Sequence, residues 1–242
     1  MRSDQTQAEL FWWRKLITNG DTLTGWLEDG GCGCAAQIQD NDNLKGERSL
    51  SQSDVPQRFV ASYVLDLPVG RGKKLLTNLN GPADKILGGW GINGITTVQS
   101  GFPLAIAAAS NPLSQFGFGS LRPNVDGPNK SITGSAQSRV NEWFNVDAFS
   151  QPSTFAVGSE PRLDPQLRSA GIANWDFAAF KVIPITERIH LQFRTEFFNL
   201  FNRVQFAAPN TSCCTLNNSQ FGVVTSQANT PRLVQFALRA EF

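Results

Sequence analysis

Charge is scarce in this sequence. Asp, Glu, Lys and Arg make up 17% of its 242 residues, against roughly 25% in an ordinary soluble domain. The 21 basic and 20 acidic residues nearly cancel, leaving a formal net charge of +1. Nucleic-acid binding needs a dense basic stripe, and this balance excludes nucleic acid as a partner. Tyr, Met and His are almost missing, at one residue each. A lone His is a thin basis for an enzyme, and no Ser or Cys nucleophile stands at paired spacing from a general base.

Long apolar runs are missing too. No stretch approaches the roughly 20 residues that a membrane helix needs. The longest charge-free stretch, 86–121, is broken by Gly, Asn, Gln, Ser and Pro. Met1 is followed by RSDQTQAE, which contains no apolar signal core. Hydropathy alone would class the chain as soluble. A transmembrane β-strand, however, signals far more weakly per segment than a membrane helix.

Metal-binding spacing is also absent. The four cysteines form two tight pairs, Cys32/Cys34 and Cys213/Cys214. Neither pair is the C-x₂₋₄-C knuckle of a thiolate zinc site. Both lie in Gly-, Asn-, Ser- and Thr-rich stretches (GGCGCAAQ and NTSCCTLNN), which suits loop disulfides or free thiols in an oxidising compartment. No metal and no cofactor is expected. The run GRGKK (70–74) fails as a phosphate loop, because Leu67 stands where the first Gly belongs and Lys74 follows Lys73.

Phenylalanine is plentiful by contrast, with 18 Phe beside 6 Trp. Much of it alternates with polar residues. In RLVQFALRAEF (232–242), Val234, Phe236, Leu238, Ala240 and Phe242 share one parity, with Gln235, Arg239 and Glu241 on the other. RFVASYVLDL sets Phe59, Ala61, Tyr63, Leu65 and Leu67 against Arg58, Ser62 and Asp66. IHLQFRTEFF sets Ile189, Leu191, Phe193 and Phe197 against His190, Gln192, Arg194 and Glu196. GWGINGITTVQS and ANWDFAAFKV repeat the theme, and AELFWWRKLIT (8–18) reads as a further strand of unsettled register. Alternation of period two is the mark of a β-strand with unlike faces. The clean segments run about ten residues, near the 9–11 that a tilted strand needs to cross a bilayer. Strands of soluble sheets are usually about five or six residues long.

The connections are lopsided. The link 183–188 (IPITER) is tight, whereas 19–56, 102–173 and 202–231 are long, polar and rich in Gly, Pro, Asn and Ser. Transmembrane barrels pair short turns on one side with long loops on the other. The link 68–89 is longish for the short side. Alternation alone also fits a soluble all-β carbohydrate-binding module; strand length, loop asymmetry and the aromatic end favour a membrane wall.

Five blocks then bear a resemblance. RFVASYVLDLPVGRGKK, GGWGINGITTVQSGFPL, WFNVDAF, ITERIHLQFRTEFFNLFNRVQF and PRLVQFALRAEF follow one another as in TonB-dependent outer-membrane transporters, and most resemble the Oar-like branch. The likeness runs from about Arg58 to Phe242 and is weaker before it. In that family a signal peptide, a TonB box and a plug precede a barrel of about 22 strands. The resemblance thus implies an all-β antiparallel transmembrane barrel segment: an open curved sheet of about six long strands with long extracellular loops. It would be a fragment of the whole, with 1–56 as a first strand plus a long loop and 57–242 as the C-terminal strands. Six strands cannot close, since single-chain barrels need at least about eight.

The resemblance also assigns roles. It implies a Gram-negative outer membrane as the location, and lipid and the barrel-assembly machinery as partners. TonB would be reached only through the plug. A small ligand, whether siderophore, oligosaccharide or peptide, would be imported without covalent chemistry, so no catalytic residue is expected. The alternation in the last strand, Phe236, Leu238, Ala240 and Phe242, is the assembly signal, with Phe242 at the periplasmic rim. EFFNLFN resembles the family's NLFD signature, which makes 203–231 an extracellular loop, with a short strand expected at FGVVTSQ (221–227). Both cysteine pairs then face outward. His190, Gln192, Arg194 and Glu196 line the lumen. Trp90 and Trp175, at strand ends, suit the membrane interface. Trp143, in the long loop, is the best ligand-contact candidate, its other reading being a hydrophobic staple that folds the loop back on itself.

Overall fold

A computed structural model describes residues 7–13 (by backbone alone), 38–40, 42–70, 73–75, 81–116, 121–186, 188–214 and 219–242. Six strands form one sheet: β1 Gln7–Trp13, β2 Arg58–Asp66, β3 Trp90–Gln99, β4 Ile172–Pro184, β5 His190–Phe198 and β6 Leu233–Glu241. Each pairs antiparallel with the next in chain order. The expected strand at 8–18 is thus β1, seven residues long, in register with β2 from Gln7↔Val64 to Trp13↔Arg58. Strands β2 to β6 span nine to thirteen residues, enough for a tilted crossing of a bilayer. β1 and β6 have one neighbour each, so the sheet is open.

The register joins the apolar sets of successive strands. Phe59 opposes Val98, which opposes Ala173; Phe193 opposes Leu238, and Phe197 opposes both Phe177 and Val234. A slip of one residue between any pair would mix the faces. One face therefore carries Phe59, Ile92, Trp175, Phe193 and Phe236, and the other carries Ser62, Asn93, Asp176, Arg194 and Arg239. Glycine serves this packing at Gly91, where a Cβ would lie 2.2 Å from the Phe180 ring of the neighbouring strand.

Among the described residues no second layer covers the apolar face; contacts near its ends come from Phe201 at Trp175 and from residues 86–88 at Lys181. In strands β2 to β6 only Gly91, Ala178 and Lys181 are buried. Phe193 and Phe236 stack on each other with centroids 6.3 Å apart, yet Phe236 remains 68% exposed. A soluble sandwich would hold these rings in a dry centre between two layers. Here a contiguous apolar band of a long sheet is bare, as the outer surface of a membrane wall is.

The hydrophobic core lies elsewhere, in a cap built from the long connections. Leu104, Ile106, Trp143, Phe144, Phe149, Leu167, Cys213 and Phe221 are buried together. Phe144, Phe149 and Phe221 meet edge to face at 5.1–5.8 Å, the arrangement that aromatic quadrupoles favour. Two-residue ladders tie the segments: Pro103–Leu104 with Asp164–Arg168, Ala107–Ala108 with Ser212–Cys213, and Asn124–Val125 with Phe149–Ser150. The short strand of the last long loop is therefore Ser212–Cys213. FGVVTSQ, where one was expected, forms a turn and a single bridge from Gln227 to Phe206. Phe221 of that stretch serves the cap core instead of a sheet.

Ionic contacts bind the first long connection to the cap. Arg122 donates two hydrogen bonds to Glu47, at 2.6 and 2.7 Å, with both side chains buried. Beside them the Gln39 side chain accepts from the Arg122 amide (3.0 Å) and donates to the Gly158 carbonyl (2.7 Å). Farther along, Arg168 pairs with Asp54 at 2.7 Å. Removing one partner of a buried pair strands the other charge, at a cost of about 3–5 kcal/mol. Glu47→Ala is therefore expected to destabilise the cap by about 3–5 kcal/mol. The check is limited proteolysis of 38–56 under increasing urea; cleavage at the wild-type urea concentration would contradict the claimed role.

Candidate functional site

Two shallow grooves mark the polar face of the wall. One, of about 230 Å³, is lined by Ser62, Val64, Asn93, Asp176, Arg194 and Glu196. The other, of about 420 Å³, lies at the strand ends beneath the cap, among Thr97, Asn174, Asp176, Asn199, Gln205 and Asn229. Asp176 and Phe198 line both, so the two grooves are neighbours on the wall.

β5 places His190, Gln192, Arg194 and Glu196 on this face, two residues apart. Arg194 Nε meets Glu196 Oε1 at 2.6 Å. Across the register Gln192 opposes Arg239, and His190 opposes Glu241. The His190 Nδ1 is buried without a hydrogen-bond partner. Charges of both signs are interspersed, which makes a water-bearing surface without a strong field. Phe236, Leu238 and Ala240 occupy the opposite, apolar face of the edge strand β6, and Phe242 beyond it is 98% exposed.

Trp143 lies inside the cap rather than on its surface. Its ring is 2% exposed, and its indole N–H donates to the Arg168 carbonyl at 2.8 Å. The Arg139 guanidinium covers it at 4.5 Å. WFNVDAF thus folds the loop back on itself, the other reading of that stretch: Trp143, Phe144, Ala148 and Phe149 all point into the cap core. Cys213 and Cys214 form a disulfide between sequence neighbours, while Cys32 and Cys34 lie outside the described residues. Trp175 sits at the cap end of the wall against Phe201, at 5.2 Å, and Trp90 sits at the other end.

Asn199 was not singled out from the sequence, yet it braces the cap end of the wall. Its amide donates to Asp176 Oδ1 (2.9 Å), and its side chain donates to the carbonyls of Arg203 (3.0 Å) and Thr230 (3.2 Å). Its Oδ1 accepts from the Arg203 amide at 2.9 Å. Asn199 and Asn202 have φ of 52° and 50°, a left-handed conformation that Asn tolerates better than most residues. The signal was available in NLFN: two Asn spaced to turn the chain at the end of a strand. These hydrogen bonds hold both ends of 199–230 over β4.

A second unanticipated feature is a buried trio in the cap. The Lys130 amine contacts Glu160 Oε2 at 3.2 Å and also pairs with Asp164. Two carboxylates share one ammonium out of water, and Glu160 Oε1 has no donor. Burial foremost, then the neighbouring Asp164, pushes the Glu160 pKa from 4.5 up to about 8, with Lys130 opposing. A proton on Glu160 satisfies both the geometry and the charge balance. No sequence signal foretold the trio, because its members are spread over an irregular loop.

Compared with known families, residues 7–235 match a family model described as an outer membrane beta barrel domain. No curated protein and no solved structure matches the chain.

Glu160 gives the cap a pH dependence of known sign. The folded cap binds this proton more tightly than the unfolded chain does, so its contribution is complete at low pH. It declines as pH rises from 4.5 to about 8 and is level above. Glu160→Gln is expected to remove that decline. Melting of the cap followed by Trp fluorescence between these pH values checks it; stability that is flat or rising in the unsubstituted protein would contradict it.

Proposed function

The chain belongs to the outer membrane β-barrel domain family, and on that premise we propose that it forms wall and mouth of a TonB-dependent transporter of the Oar-like branch. The outer membrane is its location, and β2 to β6 are lengths of barrel wall. Barrels of this kind keep short turns in the periplasm and long loops outside, so the cap is extracellular. The observation that carries the proposal is the wall's asymmetry: an apolar face with no second layer among the described residues, a face that carries Asp176, Arg194, Glu196 and Arg239, and a folded cap at one end.

In this reading a ligand is caught at the cap and passes along the polar face past Asp176, Arg194 and Glu196. The cargo would be a siderophore, an oligosaccharide or a peptide. No covalent step is assigned; the work is binding and release. Energy would come from TonB acting on a plug within the lumen, which the five resembling blocks imply. Open edges in lipid cost several kcal/mol per unpaired backbone group, so further strands would pair with β1 and β6 to close the barrel. The assembly machinery would grip β6, where Phe236, Leu238, Ala240 and Phe242 present the alternating apolar edge. A soluble carbohydrate-binding module is not favoured, because its strands would have to cover the face that stands bare.

Transport is tested by accumulation of labelled ferric siderophores, oligosaccharides and peptides in cells carrying the whole transporter, with and without TonB. Accumulation lost without TonB is expected; accumulation indifferent to TonB would overturn the proposal. The wall is tested separately. Phe193→Arg, at mid-strand on the apolar face, should cost about 2–4 kcal/mol of folding into vesicles. Gln192→Arg, one residue away on the polar face, should cost little. Equal penalties, read from the folded fraction after vesicle insertion, would count against a lipid-facing surface.

A further inference from the structure

Lys181 is the one charged residue on the apolar face of the wall, among the described residues. It is also buried, at 8% exposure. Its amine donates to the carbonyls of Ile86 (2.8 Å) and Gly88 (2.6 Å) and lies 5.1 Å from the centre of the Trp90 ring. Trp90 is its register partner on β3, and the Trp90 indole N–H donates to the same Ile86 carbonyl at 2.9 Å. Ile86 and Gly88 sit at the end of α1, Gly81–Leu87, the helix in the link between β2 and β3.

The last carbonyls of a helix have no partners within it, and a cation there is favourable. Here both the cation and the second donor come from the apolar face of the wall. The end of α1 is therefore fastened to the outer side of the rim, away from the polar face. This leaves Ile86 67% and Leu87 45% exposed, with Leu75 of the same link also exposed. Lys74 and Lys85 flank them at the surface.

We propose that α1 is an interfacial anchor that inserts Ile86 and Leu87 into the phospholipid leaflet at the short-link rim. The argument rests on the reading that the wall's apolar face meets lipid, with which the exposed side chains are continuous. Lys74 and Lys85 are placed to face lipid phosphates, and Trp90 sits at headgroup level as interface aromatics do. The Lys181 chain runs along the apolar surface while its charge is discharged into the helix end rather than into hydrocarbon. The longish link between β2 and β3 thereby acquires a task beyond turning the chain.

The test places a diazirine-bearing residue at position 86, 193 or 153 in the full chain, held in vesicles of phosphatidylethanolamine and phosphatidylglycerol. Photolysis should yield phospholipid adducts at 86 and at 193, and none at 153 in the cap. Adducts at 193 without adducts at 86 would overturn the anchor and leave the lipid-facing wall standing. No adduct at either position would overturn both. Lys181→Gln, with the folded fraction monitored in parallel, should lower the adduct yield at 86 severalfold and spare 193; an unchanged yield would refute Lys181 as the fastener.

Discussion

A backbone that crosses hydrocarbon must satisfy its own hydrogen bonds, because no water is present to do so. Most of this chain's form follows from that. Each strand pairs with its sequence neighbour, and the ladder runs from β1 to β6 without a crossover. This pairing sets the register, and the register gathers alternate residues of every strand onto one face. Lipid on one side and water on the other then select what stands there. The sheet needs no second layer, since the bilayer is its second layer.

The usual placement of apolar and charged groups is accordingly inverted. The wall displays Phe236 and Leu238, while the buried rings and the buried ion pairs both belong to the loops. A cap standing in water must make its own core from irregular segments with few ladders. It does so with an aromatic cluster around Phe144 and with charges such as Arg122 and Glu47, whose geometry pins distant loops. Ion pairs of this kind are less a source of net stability than a way of selecting one arrangement. For a cap built from irregular segments, selection of one arrangement is the useful property.

What was legible in the sequence follows the same division. The wall could be read because two solvents impose a period of two, and Arg194 and Glu196 fall on the polar side as their parity says. The cap could not, because its core obeys no period. Trp143 looked like an exposed ring in a polar loop, and only tertiary packing turns it inward. Phe221 lay in a stretch that resembled a strand but serves as a knob. The role of Asn199 was partly written in NLFN, yet its bonds to Asp176 and Thr230 join residues far apart in sequence. The α1 anchor depends on Lys181, about a hundred residues downstream, a pairing that the β3–β4 register alone reveals.

The central claim is that one face of this wall meets hydrocarbon and the other water. Its most direct test is a nitroxide scan along β5, from 190 to 198, in lipid vesicles, with oxygen and a nickel chelate as relaxing agents. Oxygen contact should peak at 191, 193, 195 and 197, and nickel contact at 190, 192, 194 and 196, in strict alternation. Nickel access of similar size at both sets of positions would mean that water bathes both faces, and the membrane account would fail.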